Sequence, residues 1–218
     1  EQAAKLKLPN IDVYQPEMTA SIMYTSGTTG KPKGVVQRFE NHRASALSTQ
    51  ENMQLTAEDC WLCPVPIFHI SGLSIIIRQL VLGCSVRLYA KFDASAITAD
   101  LVQGKGTIIS VVAVMLKELL AGYPASGYAT VFKAMLLGGG PIAPKALELC
   151  EEYGLCVIPS YGMTETCSQV VALSFADAQA KRGSAGKPLT GMKIKIIDNK
   201  GQNCLPNEVG EILLKGQN

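Results

Sequence analysis

The chain is expected to fold as an α/β protein, with mainly parallel sheets flanked by helices and then the start of a β-rich subdomain. Three observations predict this. Short apolar runs alternate with longer segments of helical period, the pattern of βαβ units. Hydrophobic residues fill 47% of the 218 positions, enough to bury a sizeable core. After Gly183 the helical period stops, and alternating apolar positions with turn residues take over, as in KIKIIDNKGQ.

In chain order, the short apolar runs place strands at 20–24, 60–64, 85–88, 107–111, 134–137 and 155–158. The intervening segments at 41–53, 72–82, 94–103, 114–122 and 144–153 carry helical period. The last of these opens on Pro144, which loses nothing at a first-turn position by having no N–H. The chain thus divides into an α/β region, 1–185, and the start of a β-rich subdomain, 186–218.

Charge and cysteine content narrow the function classes. Twenty Lys and Arg against 18 Asp and Glu leave no field of one sign to draw in nucleic acid or an anionic membrane. Seven irregularly spaced Cys fit reduced thiols better than a secreted disulfide scaffold. The segment EQAAKLKLPN has no signal-peptide pattern, and the apolar stretches near 75–82 and 108–116 are too short or interrupted to span a bilayer. A soluble, cytoplasmic protein is expected. The chain starts without Met and stops just after the strand-like EILLKG, so a piece of something longer is also expected.

The most informative stretch is Thr25-Ser26-Gly27-Thr28-Thr29-Gly30-Lys31-Pro32-Lys33-Gly34, between an apolar strand and a helical segment. Glycines let backbone N–H groups turn toward an anion, hydroxyls add donors, and two Lys add charge. A flexible surface turn is the competing reading. A Walker loop is excluded, since only Thr28 and Thr29 separate Gly27 from Gly30, and Pro32 follows Lys31 where that motif needs a hydroxyl.

Two further strings follow predicted strands. Gly138-Gly139-Gly140-Pro141 would let a flat ring approach the backbone. In Ser160-Tyr161-Gly162-Met163-Thr164-Glu165-Thr166 an aromatic can stack on that ring, and a carboxylate beside a hydroxyl can hold Mg²⁺ with phosphate oxygens. Alone, each reads equally as a turn or a solvated loop.

TSGTTGKPKG resembles, at every position, the signature loop of the adenylate-forming superfamily of acyl-CoA synthetases, peptide-synthetase adenylation domains and luciferases. GGGP and YGMTET resemble its later motifs in the family order. The resemblance covers nearly the whole chain and makes 1–185 an AMP-binding region, part of a large N-terminal domain. It implies ATP, Mg²⁺ and coenzyme A as the molecules used, with a small carboxylic acid as substrate. Thr25, Ser26, Gly27, Thr28, Thr29, Gly30 and Lys33 would close over the ATP phosphates. Gly138, Gly139, Gly140 and Tyr161 would bound the adenine, Ser160, Gly162 and Met163 would belong to the same cofactor-binding set, Thr164 would contact the α-phosphate, and Glu165 would ligate the metal. The catalytic set is then Lys33, His69, Thr164 and Glu165.

His69 lies in PIFHISGL between a strand and an apolar helix, where a lone His is ordinarily structural. Acyl-CoA synthetases commonly carry an aromatic or His here, so the resemblance makes it a gate or a carboxylate contact. FHISGLS, TETCSQ and GSAGKPL look most like the bacterial 2-succinylbenzoate–CoA ligases of menaquinone biosynthesis. Their substrate is a dicarboxylate, and Ser71, Arg78, Ser168 and Gln169 are the candidates to meet the carboxylate that is not activated. Arg78 stands alone in SIIIRQLVL, where a snorkelling or salt-bridged side chain is the ordinary reading.

Two more readings stay open: another acyl- or aryl-CoA synthetase or an adenylation domain, and a non-catalytic nucleotide-binding module. An adenylation domain would favour an Asp in the pocket, and FHISGLS offers no acid. The family's C-terminal catalytic domain, and the Asp that binds the ribose hydroxyls, are expected to be absent from this chain. Cys60-Trp61-Leu62-Cys63 has half the spacing of a zinc site without a second half, and reads as buried strand. His42, beside Arg43, reads as solvated.

Overall fold

The central strands are apolar on both sides, so each needs cover on two faces, and the chain supplies it with helices. A computed structural model describes residues 15–25, 31–140, 142–181 and 183–218. Its main sheet has seven strands in the order β4-β3-β5-β6-β7-β8-β9. These are β3 (Cys60–Cys63), β4 (Ser85–Leu88), β5 (Ile108–Val111), β6 (Ala134–Leu137), β7 (Val157–Met163), β8 (Ser168–Ala172) and β9 (Lys187–Pro188). β4 through β7 pair in parallel, and β8 and β9 add antiparallel.

Alternation along these strands sorts side chains into two cores. Trp61, Cys63, Ile108, Leu136 and Ile158 point to one face, where Met53 of α1 (Phe39–Met53) and Ile75 of α2 (Ile70–Leu82) cover them. Leu62, Ile109, Met135, Leu137 and Val157 point to the other. There α3 (Ala94–Val102), α4 (Ala113–Ala121) and α5 (Pro144–Glu152) supply Ile97, Leu101, Leu116, Leu119 and Cys150. Ile75, Ile108, Leu116 and Leu119 are fully buried, each contributing about 1.5–3 kcal/mol of transfer free energy.

Local signals set the helix ends. Asp93 caps α3 by accepting from the Ala96 N–H at 3.0 Å, Pro144 opens α5, and Gly83 closes α2 with a left-handed φ of 76°. α6 (Phe175–Ala180) follows β8.

Two antiparallel hairpins stand apart from the main sheet: β1 (Thr19–Thr25) with β2 (Lys33–Arg38), and β10 (Lys193–Ile197) with β11 (Glu211–Lys215). β9 still pairs with the main sheet, so hydrogen bonding to it continues through Pro188.

The expected fold class is observed, and its six strands and five helices are all present, two strands (85–88 and 134–137) with the expected bounds and the others with shifted ends. Three local expectations are corrected. The glycine-rich loop leads into strand β2 and not directly into a helix, because Lys33–Arg38 pairs antiparallel with β1, with a register shift between Thr19 and Ser21. The strand ending at 158 runs on to Met163, because β8 pairs beside it and keeps Tyr161 and Gly162 extended. His42 is 3% exposed and not solvated: α1 presses it between β1 and β8, where it meets Ser21 and Cys167. Cys63 and Trp61 are buried as expected of a core strand, and no three His, Cys, Asp or Glu among the described residues could together hold a metal.

Candidate active site

In the strand order 4-3-5-6-7 the connections leave β3 in one direction and β5 in the other. The crevice outside the carboxyl ends of such a pair is where open α/β sheets receive ligands. A cavity of about 150 Å³ lies there. Its lining comes from the β3 end (Val65), the β5 end (Ser110, Val111), the β6 end (Gly138, Gly139) and the β7 end (Ser160, Gly162, Met163). Helix α2 contributes Ile70, Ser71 and Arg78, and β8 contributes Ser168 and Gln169. A second, wider cavity of about 560 Å³ adjoins it, sharing Gly139, Ser160 and Gly162 and adding Gly140, Tyr161 and the 183–185 segment.

Arg78 dominates the inner cavity. Its side chain is 1% exposed, so the snorkelling reading is overturned, and no carboxylate among the described residues pairs with it, which overturns the salt-bridge reading too. It donates to Ser168 Oγ at 3.0 Å, and its Cζ lies 5.0 Å from the Trp61 ring centroid. Nε has no partner among the described residues. Burial pushes the guanidinium pKa down to about 10, which still leaves it charged at neutral pH. A buried cation without a counter-charge is costly, and it stabilises any anion that enters.

The surroundings hold Arg78 in place. Ser168 Oγ donates on to Ser74 at 3.3 Å, and the Trp61 indole N–H donates to Ser110 Oγ at 3.0 Å. Gln169 donates to Thr49 Oγ1 at 3.3 Å, while its Oε1 is buried without a partner among the described residues. An acid group entering here would meet one guanidinium, hydroxyls and an amide.

The outer part of the site is more open. Gly139 (φ 82°) and Gly140 (φ 157°) follow β6, Tyr161 is half-buried on β7, and Ser160 Oγ donates to the Leu137 carbonyl at 3.0 Å. A Cβ at Gly162 would stand 2.1 Å from the Ser168 carbonyl oxygen, so only glycine lets β7 and β8 meet there. Met163 leads into a 3₁₀ turn, Thr164–Thr166, on which Glu165 is exposed and Thr164 half-buried. Thr25 ends β1 opposite Lys33, which begins β2 and is exposed. Ser26, Gly27, Thr28, Thr29 and Gly30 lie outside the described residues.

The structure therefore gathers Ser71, Arg78, Gly138, Gly139, Ser160, Gly162, Met163, Ser168 and Gln169 around one cavity. His69 is exposed at the position before α2, its ring 4.6 Å from Phe68, and does not line that cavity although Ile70 and Ser71 do. Ser110 and Trp61 were not anticipated. The signal for Ser110 is its place as the one polar residue in the buried run Ile108–Val111.

Fold and site together define a class: an open α/β protein that seats a ligand across the carboxyl ends of its parallel strands, with glycine-rich approaches on one side and a buried cation on the other. Residues 2–218 match the model of the AMP-binding enzyme family, and the chain belongs to that family. It is 69% identical over 202 residues to a 2-succinylbenzoate–CoA ligase of Enterococcus faecalis, an alignment covering 93% of this chain and 42% of that protein. Among solved structures it resembles the o-succinylbenzoate CoA synthetase of Bacillus subtilis in complex with the acyl-adenylate intermediate (TM-score 0.87, 47% identity, 93% of this chain and 41% of that one). The same enzyme with ATP and magnesium ion matches at TM-score 0.86 and 47% identity, over 93% and 42% of the two chains. The chain thus spans about two fifths of the length of these relatives.

Proposed function

We propose that this chain is the nucleotide- and acyl-binding part of an AMP-forming acid–thiol ligase, in which 2-succinylbenzoate is activated as its adenylate and passed to coenzyme A. Arg78 carries the narrow part of the reading: a buried guanidinium without a carboxylate partner among the described residues, beside Ser168 and Gln169, suits a substrate that keeps a second carboxylate. The similarity to 2-succinylbenzoate–CoA ligases supports it.

A carboxylate is a poor electrophile. Its oxygen attacks the α-phosphorus of ATP, the bond to the bridging oxygen breaks, and pyrophosphate leaves; the mixed anhydride is then open to the coenzyme A thiol, with AMP as second leaving group. In this chain Arg78 and Ser168 hold the spectator carboxylate, so that the succinyl carboxyl extends past Gly138 and Gly139 toward Thr164. Lys33 and the Ser26–Gly30 backbone offset charge gathering on the phosphates, Thr164 contacts the α-phosphate, and His69 screens the acyl entrance.

Glu165 suits Mg²⁺ that keeps phosphate oxygens and water as its other ligands, since it is an exposed carboxylate on a turn and belongs to no cluster of three or more His, Cys, Asp or Glu among the described residues. When bound, the ion neutralises phosphate charge and orients the leaving group. Residues 1–185 would form the AMP-binding region and 186–218 would begin the β-rich subdomain. No described helix is long and apolar enough to cross a membrane, and seven unpaired thiols accord with a cytoplasmic enzyme.

The test is ATP–pyrophosphate exchange with the full-length protein, comparing 2-succinylbenzoate with benzoate, a medium-chain fatty acid and mixed amino acids. Exchange dependent on 2-succinylbenzoate is expected. Exchange with another acid keeps the reaction and overturns the substrate, and silence with every acid from a folded protein overturns the ligase reading.

A further inference from the structure

The two halves of the phosphate site come from distant parts of the chain: the β1–β2 hairpin that ends at Thr25 and restarts at Lys33, and the Thr164–Thr166 turn. Between them lies a closed circuit of polar groups that the mechanism above does not use. Ser21 Oγ donates to Gln37 Oε1 at 2.7 Å, and Gln37 Nε2 donates to the Thr164 carbonyl at 2.7 Å. On the other side, His42 Nε2 lies 2.9 Å from Ser21 Oγ, and His42 Nδ1 lies 3.1 Å from Cys167 Sγ. The Cys167 N–H closes the circuit by donating to the same Thr164 carbonyl at 3.1 Å.

Only one arrangement of protons satisfies a neutral His42. The single hydroxyl proton of Ser21 is committed to Gln37, whose Oε1 can only accept. His42 must then donate through Nε2, so Nδ1 accepts, and the Cys167 thiol donates to it. The four side-chain links point the same way, from Cys167 through His42, Ser21 and Gln37 to Thr164, and the backbone link from Cys167 ends on that same carbonyl. Gln37, His42 and Cys167 are each buried, which makes such a network strong when complete and costly when broken. The segment it holds is strained: Cys167 has φ 52° and Ser168 φ 107°, left-handed backbone at two consecutive residues that are not glycine.

We propose that Gln37, His42 and Cys167 are positioning residues that hold the Thr164–Glu165 turn at a set distance from the Lys33 hairpin, so that the two sides of the triphosphate and its metal are aligned before ATP arrives. The inference rests on the reading of Lys33, Thr164 and Glu165 as nucleotide and metal contacts. None of Gln37, His42 and Cys167 lines the inner cavity, so the circuit acts first on MgATP; Cys167 adjoins Ser168, and the effect on the acid is the smaller one.

The test uses the full-length protein and the variants Gln37→Met, His42→Gln, Cys167→Ala and Cys167→Ser. Gln37→Met and Cys167→Ala should each raise the KM for MgATP by about fivefold to tenfold, the equilibrium equivalent of one buried hydrogen bond, with the KM for the acid within about twofold. Cys167→Ser should recover most of that loss, because a hydroxyl can still donate to His42. Folded variants with an unchanged KM for MgATP, or with both KM values rising together, would overturn the proposal. Amide hydrogen exchange separates it from the ligase reading. Gln37→Met should speed exchange across 163–168 while leaving β3 and β5 protected, whatever the activity; uniform deprotection, or none at 163–168, refutes the circuit. A wild-type protein silent in pyrophosphate exchange that still shows the local effect would sink the ligase reading alone.

Discussion

The proposed acyl end and the proposed phosphate end of the site are built in opposite ways. At the acyl end, Arg78, Ser74 and Gln169 are buried and wedged between α1, α2, β3 and β8, so their geometry is set by packing. At the phosphate end, Lys33 and Glu165 are exposed on a hairpin and a short turn, and their positions depend on backbone and on the buried circuit behind them. Specificity for an acid of fixed shape needs a preformed pocket with few rotamers. A polyphosphate that arrives hydrated and with its metal needs charges that can approach and retreat. Stability and catalysis should therefore separate along this axis.

The largest effect expected is at the phosphate end. Glu165→Ala and Lys33→Ala should each lower pyrophosphate exchange by about 10²–10³-fold, as removal of one preorganised charge-stabilising group does. Both should leave the urea midpoint almost unchanged, within about 0.5 kcal/mol, because neither side chain is packed. A large loss of stability in either would break the contrast.

Next comes Arg78→Met. The KM for 2-succinylbenzoate should rise by about 10²-fold, with the KM for ATP held, which corresponds to the roughly 2–5 kcal/mol typical of losing one partner of a buried charged contact. The same variant should not lower the melting temperature of the unliganded protein, since it removes a buried charge that has no counter-ion among the described residues. Steady-state kinetics and a thermal melt on one preparation check both halves.

Gly162→Ala tests the seam between the two ends. Its Cβ would press on the Ser168 carbonyl, 2.1 Å away, and forcing β7 from β8 should cost about 1–3 kcal/mol in denaturant titration. Both KM values should rise, because Ser168 serves the acyl side and Met163 leads to Glu165.

The smallest effect is a dependence on alkaline pH from buried thiols in the two cores. Burial pushes Cys63 and Cys150 from 9.0 up to about 11. Their folded pKa values exceed the unfolded ones, so the stability they contribute is whole below pH 9 and fades as pH rises toward 11. Urea midpoints between pH 8 and 10 should show the onset of this decline, and Cys63→Ala with Cys150→Ala should flatten it.

Much of this was legible from the chain as a string. The parallel strands were visible because a strand covered on both faces is an unbroken apolar run, as in Ile108–Val111 and Ala134–Leu137. The phosphate loop, GGGP and YGMTET were visible because each is contiguous, so the backbone chemistry and the side chains that use it sit in one stretch. β2 was missed because KGVVQR is short and mixed, and its pairing with β1 is the only thing that makes it a strand. His42 was misread because α1 has charged neighbours at Glu40 and Arg43, and nothing in its own sequence tells which side faces β8.

Sequence alone determined the layered α/β class, the order of the segments proposed to bind nucleotide and the residue types they present, all of which follow from local periodicity and adjacency. Tertiary structure alone decided that Arg78 meets Ser168, 90 residues away, with no acid among the described residues to neutralise it, and that Gln37 meets Thr164, 127 residues away. Such meetings depend on how helix faces pack over a twisted sheet, and packing is a property of surfaces brought together by folding. A buried Arg and a solvated one are spelled with the same letter; only their surroundings separate a side chain that binds an anion from one that rests in water.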